Sequence, residues 1–211
     1  MKNYEGIIFD MDGTLVNSKD AVEKAWSIWA GGHNIDVNKI LAVSHGRPSD
    51  EVIREIMPHL DIKEEVAKLE TIELENVESV RPICGVIKFL RQLQSEEWGI
   101  FTSAPRALAI KRLRAASIPV PDILVTVEDV ANGKPHPEGY NLAANRLGVE
   151  SSKCLVFEDA DAGILSAINA GCDVIKVLAA APNDLPVDNC ISVADYFDVS
   201  VSLNGRLISL Q

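Results

Sequence analysis

The chain has 211 residues, a hydrophobic fraction of 47%, a charged fraction of 24% and a formal net charge of −11. This balance suits a globular chain able to bury a sizeable core and argues against disorder. The negative charge argues against general nucleic-acid binding and against docking on an anionic membrane, because both phosphate surfaces would be repelled.

A small phosphorylated metabolite is compatible with that charge only if a metal ion or a few Lys and Arg side chains concentrate positive charge locally. The length allows one large domain or a core with a small insertion. Met1-Lys2-Asn3-Tyr4-Glu5 carries no apolar leader, and no later apolar run approaches the roughly 20 residues that span a bilayer, so a cytoplasmic location is expected. Cys84, Cys154, Cys172 and Cys190 are far apart, contain no Cys-x-x-Cys pair, and are read as buried reduced thiols.

In chain order, a first strand is predicted at 6–9, rich in Ile and Phe. Residues 17–81 follow with no convincing strand. Val22, Ala25, Trp26 and Trp29 form an apolar stripe after Ser18; Val52, Ile53 and Ile56 form another after Ser49-Asp50; Ile62, Val66, Leu69 and Ile72 form a third. The Trp stripe reads as core packing. Segment 17–81 is therefore assigned to an inserted helical domain, with 1–16 and 82–211 as the α/β core. Further strands are predicted at 98–102, 123–126, 154–157 and 173–177, and helices at 85–93, 105–116, 137–147 and 162–170, the last stopped by Gly171 at a C′ position. Near the end, Asn204-Gly205 between alternating apolar residues predicts a two-residue hairpin with Val201 opposite Ile208 and Val199 opposite Leu210. Short apolar runs alternating with helical stretches indicate an α/β protein: a parallel sheet covered by helices, with its chemistry at the C-terminal ends of the strands.

The strongest chemical signal is Phe9-Asp10-Met11-Asp12-Gly13-Thr14-Leu15, two carboxylates two residues apart directly after a strand. A solvated turn would explain these residue types but not their pairing with later motifs. The stretch resembles the D-x-D-G-T-L-V motif of the haloacid dehalogenase-like phosphatase superfamily. The remaining motifs of that family follow in order: Thr102-Ser103 ending a strand, Gly133-Lys134-Pro135-His136-Pro137-Glu138, and Glu158-Asp159 followed by Gly163. The resemblance covers most of the chain and implies a Rossmann-like core with a helical cap inserted after the first motif, where 17–81 lies.

It further implies a phosphomonoester hydrolase in which Asp10 attacks phosphorus and becomes a phospho-aspartate, dividing one hard hydrolysis into two displacements. Asp12 would protonate the departing oxygen and deprotonate the attacking water, a role suited to a carboxyl whose proton affinity its anionic neighbours raise. Thr102, Ser103 and nearby backbone amides would hold phosphate oxygens, and Lys134 would neutralise charge. Like charges about 4 Å apart cost on the order of 4 kcal/mol per pair at an effective dielectric of about 20, so a phosphate needs a cation to approach these carboxylates. Mg2+ is implied, held by Asp10, Asp159, Glu158 and the backbone carbonyl of Asp12.

In the sugar- and glycerol-phosphate phosphatase subgroup a similar His-Gly-Arg begins a cap helix, so His45-Gly46-Arg47 is expected to contact substrate, Arg47 through a forked hydrogen-bond pair and His45 through a sugar hydroxyl. His136 is not expected to touch substrate. Asp12 argues against a dehalogenase, and nothing recommends Lys19, Lys24 or Lys39 as a phosphonatase Schiff-base lysine. The serious alternative is a sugar-phosphate mutase, but such enzymes usually carry His about where Val22 falls. Asn17 and Ala104-Pro105 also depart from the family pattern without removing a catalytic group. A catalytically idle phosphometabolite sensor is the reading from another class, and the intact Asp10, Asp12, Lys134 and Asp159 count against it. Closure of the cap about linkers near residues 16 and 82 is expected. The sequence leaves the oligomeric state open, with a monomer slightly favoured.

Overall fold

In the computed structural model of the protein the described residues are 3–44, 47–179, 190–197, 199, 201–204 and 207–210, the last two segments as backbone only. Strand β1 (Gly6–Phe9) leads to a short strand β2 (Val16–Asn17) and four helices, α1 (Lys19–His33), α2 (Val37–Ser44), α3 (Ser49–Ile56) and α4 (Ile62–Glu75). Then come β3 (Arg81–Pro82), α5 (Val86–Leu90), β4 (Trp98–Phe101), α6 (Arg106–Ala115), β5 (Leu124–Val125), α7 (Glu138–Leu147), β6 (Cys154–Glu158), α8 (Asp161–Asn169), β7 (Asp173–Val177) and β8 (Ile191–Val193), and finally the pair β9 (Val201–Asn204) and β10 (Leu207–Leu210). The chain divides into two compact units, Met1–Asn17 with Arg81–Gln211, and Ser18–Val80.

The first unit is built on a six-stranded sheet of order β5-β4-β1-β6-β7-β8, every pair parallel. All residues of β1, β4 and β6 are buried, as strands with both faces covered must be, which is why they read as continuous apolar runs rather than alternations. Successive side chains still take opposite faces. Phe9 stacks on Phe157 at 5.2 Å and meets Phe89 of α5 edge-on, while Ile8 and Val156 join Phe101 and Tyr140 of α7 in a second cluster. Gly171, at φ 85°, follows the last residues of α8 in the left-handed conformation expected at C′. Among the described residues no helix is long and apolar enough to cross a membrane.

Several local expectations need correcting. Gly85, Pro105 and Pro137 cap their helices rather than belonging to them. Strand β8 is too short, with Ile191 exposed, to carry a periodic signal. The terminal hairpin pairs Asn204 with Leu207 and Val201 with Leu210, so the two connecting residues begin at Gly205, one position later than expected. Residues 205 and 206 themselves lie outside the described residues. All four cysteines are free, but only Cys154 and Cys172 are buried. Cys84 is exposed in the turn entering α5, and Cys190 is half-buried beside the edge strand. A two-residue antiparallel ribbon, Val16 with Pro82 and Asn17 with Arg81, occupies the ends of the segment read as strand-free.

The second unit has its own core, in which Trp26 and Trp29 of α1 pack with Ile40, Val52, Ile53 and Leu69. Helix α2 was not anticipated, since Ile40 is its only buried residue. Asp61 caps α4 by accepting from the Glu64 amide. Inside α4, Glu65 is 4% exposed. Its carboxylate accepts from Trp29 Nε1 at 3.0 Å and Lys68 Nζ at 2.8 Å, and lies 2.8 Å from His33 Nε2. Burial opposes its charge, but these partners outweigh it and hold the carboxyl below its ordinary range. A depressed folded-state value contributes stability above the ordinary Glu range, and that contribution disappears as the pH falls through the depressed value. Glu65→Gln is therefore expected to be less stable than the parent at neutral pH, with the gap closing in acid; chemical denaturation of both proteins across pH checks this.

Candidate active site

Parallel register brings the functional segments together. Phe9 pairs with Ile100 on one side and Phe157 on the other, so Asp10, Thr102 and Glu158 emerge from adjacent strands at one edge of the sheet. The Asp10 amide still donates to the Phe157 carbonyl at 2.9 Å, prolonging the ladder by one residue. The chain then folds into a tight turn, with the amides of Leu15 and Val16 both donating to Met11 and that of Gly13 to Val16. Gly13 is required twice over: its φ is 88°, and a Cβ there would lie 1.9 Å from Asp159 Oδ2.

The carboxylates of Asp10, Glu158 and Asp159 offer ligand atoms all within 4.8 Å of one another. Lys134 reaches into this cluster, its Nζ 2.6 Å from both Asp10 Oδ1 and Glu158 Oε1, with only 9% of the side chain exposed. The ammonium also stands 5.0 Å from the centre of the Phe101 ring and 5.4 Å from that of Tyr140. Its loop is clasped by Glu138, which accepts from the amides of Ala131 and Asn132, and by Ser166, whose hydroxyl donates to the His136 carbonyl. The peptide bond between Lys134 and Pro135 is cis. The His136 ring is half-exposed and close to Glu138.

Electrostatically the cluster is overloaded. Burial pushes the Asp10 carboxyl up to about 7; Lys134 opposes the rise and Glu158 reinforces it. Asp159 is raised well above its ordinary range, first by burial and then by Asp10 and Glu158. Burial also disfavours the charge on Lys134, yet Asp10 and Glu158 more than compensate and hold its amine above the usual value. Glu158 is fully engaged within the protein. Oε1 accepts from Lys134 and from the Tyr140 hydroxyl at 2.9 Å; Oε2 accepts from the amides of Asp159 and Ala160 at 2.9 and 3.1 Å. Those four donors match the roughly four lone-pair directions of a carboxylate. Asp10 and Asp159 have no such saturation, and hard oxygen donors at this spacing fit Mg2+.

Thr102 is buried, its Oγ1 accepting from the Ala104 amide at 3.1 Å, while Ser103 is exposed. Asp12 does not belong to the three-carboxylate cluster. Its Oδ2 instead accepts from Arg112 Nη1 at 2.8 Å, and its Oδ1 is buried with no hydrogen-bond partner among the described residues. Arg112 and Tyr140 were missed by sequence reasoning. A signal existed for Arg112: it sits at helical spacing from buried Leu108 and Ala109, a charge on an apolar face. Tyr140, beside Ala143 and Ala144, reads only as core, although a buried phenol needs a partner. In the second unit, Arg47 is exposed and donates to Glu55 at 2.8 Å. His45 and Gly46 lie outside the described residues.

Comparison with known proteins adds the following. A profile of the family described as haloacid dehalogenase-like hydrolase matches residues 7–177. Hexitol phosphatase A of Escherichia coli (strain K12) is 39% identical over 213 residues, covering 97% of this chain and 98% of that protein. Glycerol-1-phosphate phosphohydrolase 2 of Saccharomyces cerevisiae is 34% identical over 182 residues, covering 81% and 73%. Among solved structures, CbbY from Rhodobacter sphaeroides in complex with phosphate superimposes with a TM-score of 0.79 at 18% identity, covering 92% of this chain and 96% of that one, a likeness of fold.

The packing around Glu158 yields a direct test. A Cβ on Gly163 would lie 1.6 Å from Glu158 Oε1, so Gly163→Ala must displace the carboxylate that holds Lys134. Since a misplacement of about 1 Å can cost roughly 100-fold in rate, turnover is expected to fall by that order while circular dichroism still reports a folded chain.

Proposed function

The chain belongs to the haloacid dehalogenase-like hydrolase family, and from that premise we propose that it hydrolyses small sugar or polyol phosphates through a phospho-aspartate on Asp10, with Mg2+ as cofactor. The observation that carries this reading is the carboxylate cluster of buried Asp10 and Glu158 with half-buried Asp159, and Lys134 bridging two of its members. The substrate class rests on relatives named as hexitol phosphatase and glycerol-1-phosphate phosphohydrolase.

In the proposed first step an oxygen of Asp10 bonds to phosphorus as the ester P–O bond breaks, and Asp12 gives the departing alkoxide its proton. In the second, Asp12 takes a proton from water, the water oxygen attacks phosphorus, and the acyl-phosphate bond breaks to return Asp10. Lys134 orients Asp10 and offsets charge; Thr102 and Ser103, with neighbouring amides, hold phosphate oxygens as charge spreads over them. The carboxylates of Asp10 and Asp159 and the backbone carbonyl of Asp12 would hold Mg2+, which supplies the positive charge a phosphate dianion needs among these acids. The sequence leaves open whether Glu158 ligates the ion directly; engaged by four protein donors, it is assigned here to positioning Lys134 and the Asp159 backbone.

Discrimination among leaving groups is assigned to the cap, residues 17–81, with His45 and Arg47 as substrate contacts. Arg47 has the forked donor geometry for this but must exchange its Glu55 partner to use it. A cytoplasmic location is consistent with four free cysteines.

Phosphate release from a panel of sugar, polyol and glycerol phosphates is expected to require Mg2+, to stop with EDTA, and to be abolished in Asp10→Asn. Conversion of one sugar phosphate into a positional isomer without phosphate release would establish a mutase instead, and thermal stabilisation by ligands without turnover would establish a sensor.

A further inference from the structure

We propose that Arg112 is a positioning residue for the acid–base carboxylate, anchoring one oxygen of Asp12 so that the other faces the reaction. The proposal rests on the phosphatase reading above and on the assignment of proton transfer to Asp12. Arg112 comes from the buried face of α6, 100 residues along the chain from Asp12, and has only 5% of its side chain exposed. Its neighbours on that face, Leu108, Ala109, Leu113 and Ala116, are buried and apolar. A guanidinium is expensive to bury, and an apolar side chain of similar volume usually serves stability as well or better. Packing alone therefore does not account for arginine at this position.

Its ion pair with Asp12 supplies a reason. The backbone around Asp12 is fixed by the hydrogen bonds of Gly13, Leu15 and Val16, but that leaves the terminal torsion of the Asp12 side chain, which has a broad, roughly two-fold profile. Arg112 Nη1 binds Oδ2 at 2.8 Å and removes that freedom. The remaining oxygen, Oδ1, is buried without a protein partner among the described residues. Buried acceptors of this kind are rare and call for a specific explanation; here it is the oxygen reserved for the proton of the leaving group and then of the water.

The test compares two leaving groups in Arg112→Met, which keeps side-chain volume. A glycerol phosphate expels an alkoxide that needs a proton, whereas p-nitrophenyl phosphate expels a stable phenolate that does not. General acid–base catalysis contributes about 100-fold or more, so the loss in kcat/KM should be about 100-fold larger for the glycerol ester than for the nitrophenyl ester. With the nitrophenyl ester, a burst of nitrophenolate should precede slow steady turnover, because water attack still needs Asp12. Arg112→Lys keeps the charge but replaces the fork with a point donor; it should show the same ordering with a smaller ratio, and it decides the matter if the Met variant does not fold. Equal losses on both esters, with no burst, would overturn the proposal as a merely structural effect. A parent enzyme that releases phosphate from no member of the sugar, polyol and glycerol phosphate panel would sink the phosphatase reading itself and the role of Arg112 with it.

Discussion

Everything in the catalytic unit depends on one electrostatic constraint: the carboxylates of Asp10, Glu158 and Asp159, crowded within 4.8 Å of one another, face a single lysine. Three acids against one ammonium cannot all be ionised and buried without further positive charge. The protein spends its polar groups accordingly. Lys134 is shared between Asp10 and Glu158, Tyr140 and two backbone amides complete the shell of Glu158, and Arg112 takes Asp12. What is left over at Asp10 and Asp159 is the demand that a divalent cation would meet, and such a cation would let an anionic chain receive a phosphate.

The parallel sheet is what makes such crowding tolerable. Asp10 and Glu158 extend two hydrogen-bonded neighbouring strands, so their separation is imposed by the ladder rather than chosen by flexible loops. Glycines then let the remaining backbone close in. Gly13 gives way to Asp159, Gly163 to Glu158 and Gly139 to the Phe101 ring, each at distances no side chain could share. Among the described residues of the helical unit, Gly31 and Gly32 meet no such crowding. That unit has its own apolar core and a buried acid, Glu65, held by Trp29, His33 and Lys68 of the same unit.

The parallel sheet was legible in the sequence because buried strands are apolar runs ending in chemistry-bearing residues: Asp10, Thr102 and Glu158 each close such a run. The shared edge of those three follows from register. What was illegible arises from contacts between distant segments. Nothing local says that Arg112 meets Asp12, that Tyr140 lends its hydroxyl to Glu158, or that Glu158 is already saturated. The short strand β8 and the helix α2 carry too few buried residues to show a period. The hairpin register differs by one position because Asn204-Gly205 signals that the chain turns there, while local sequence does not choose which flanking residues pair.

The central claim is that phosphate passes through a covalent bond to Asp10. Rapid acid quench of the enzyme during turnover, borohydride reduction and peptide mass spectrometry would test it most directly. The account predicts conversion of Asp10 to homoserine, at no other carboxylate, in proportion to the intermediate present. Stoichiometric phosphate release in the first turnover with Asp10 unmodified at every time point would contradict it and point to direct attack by water.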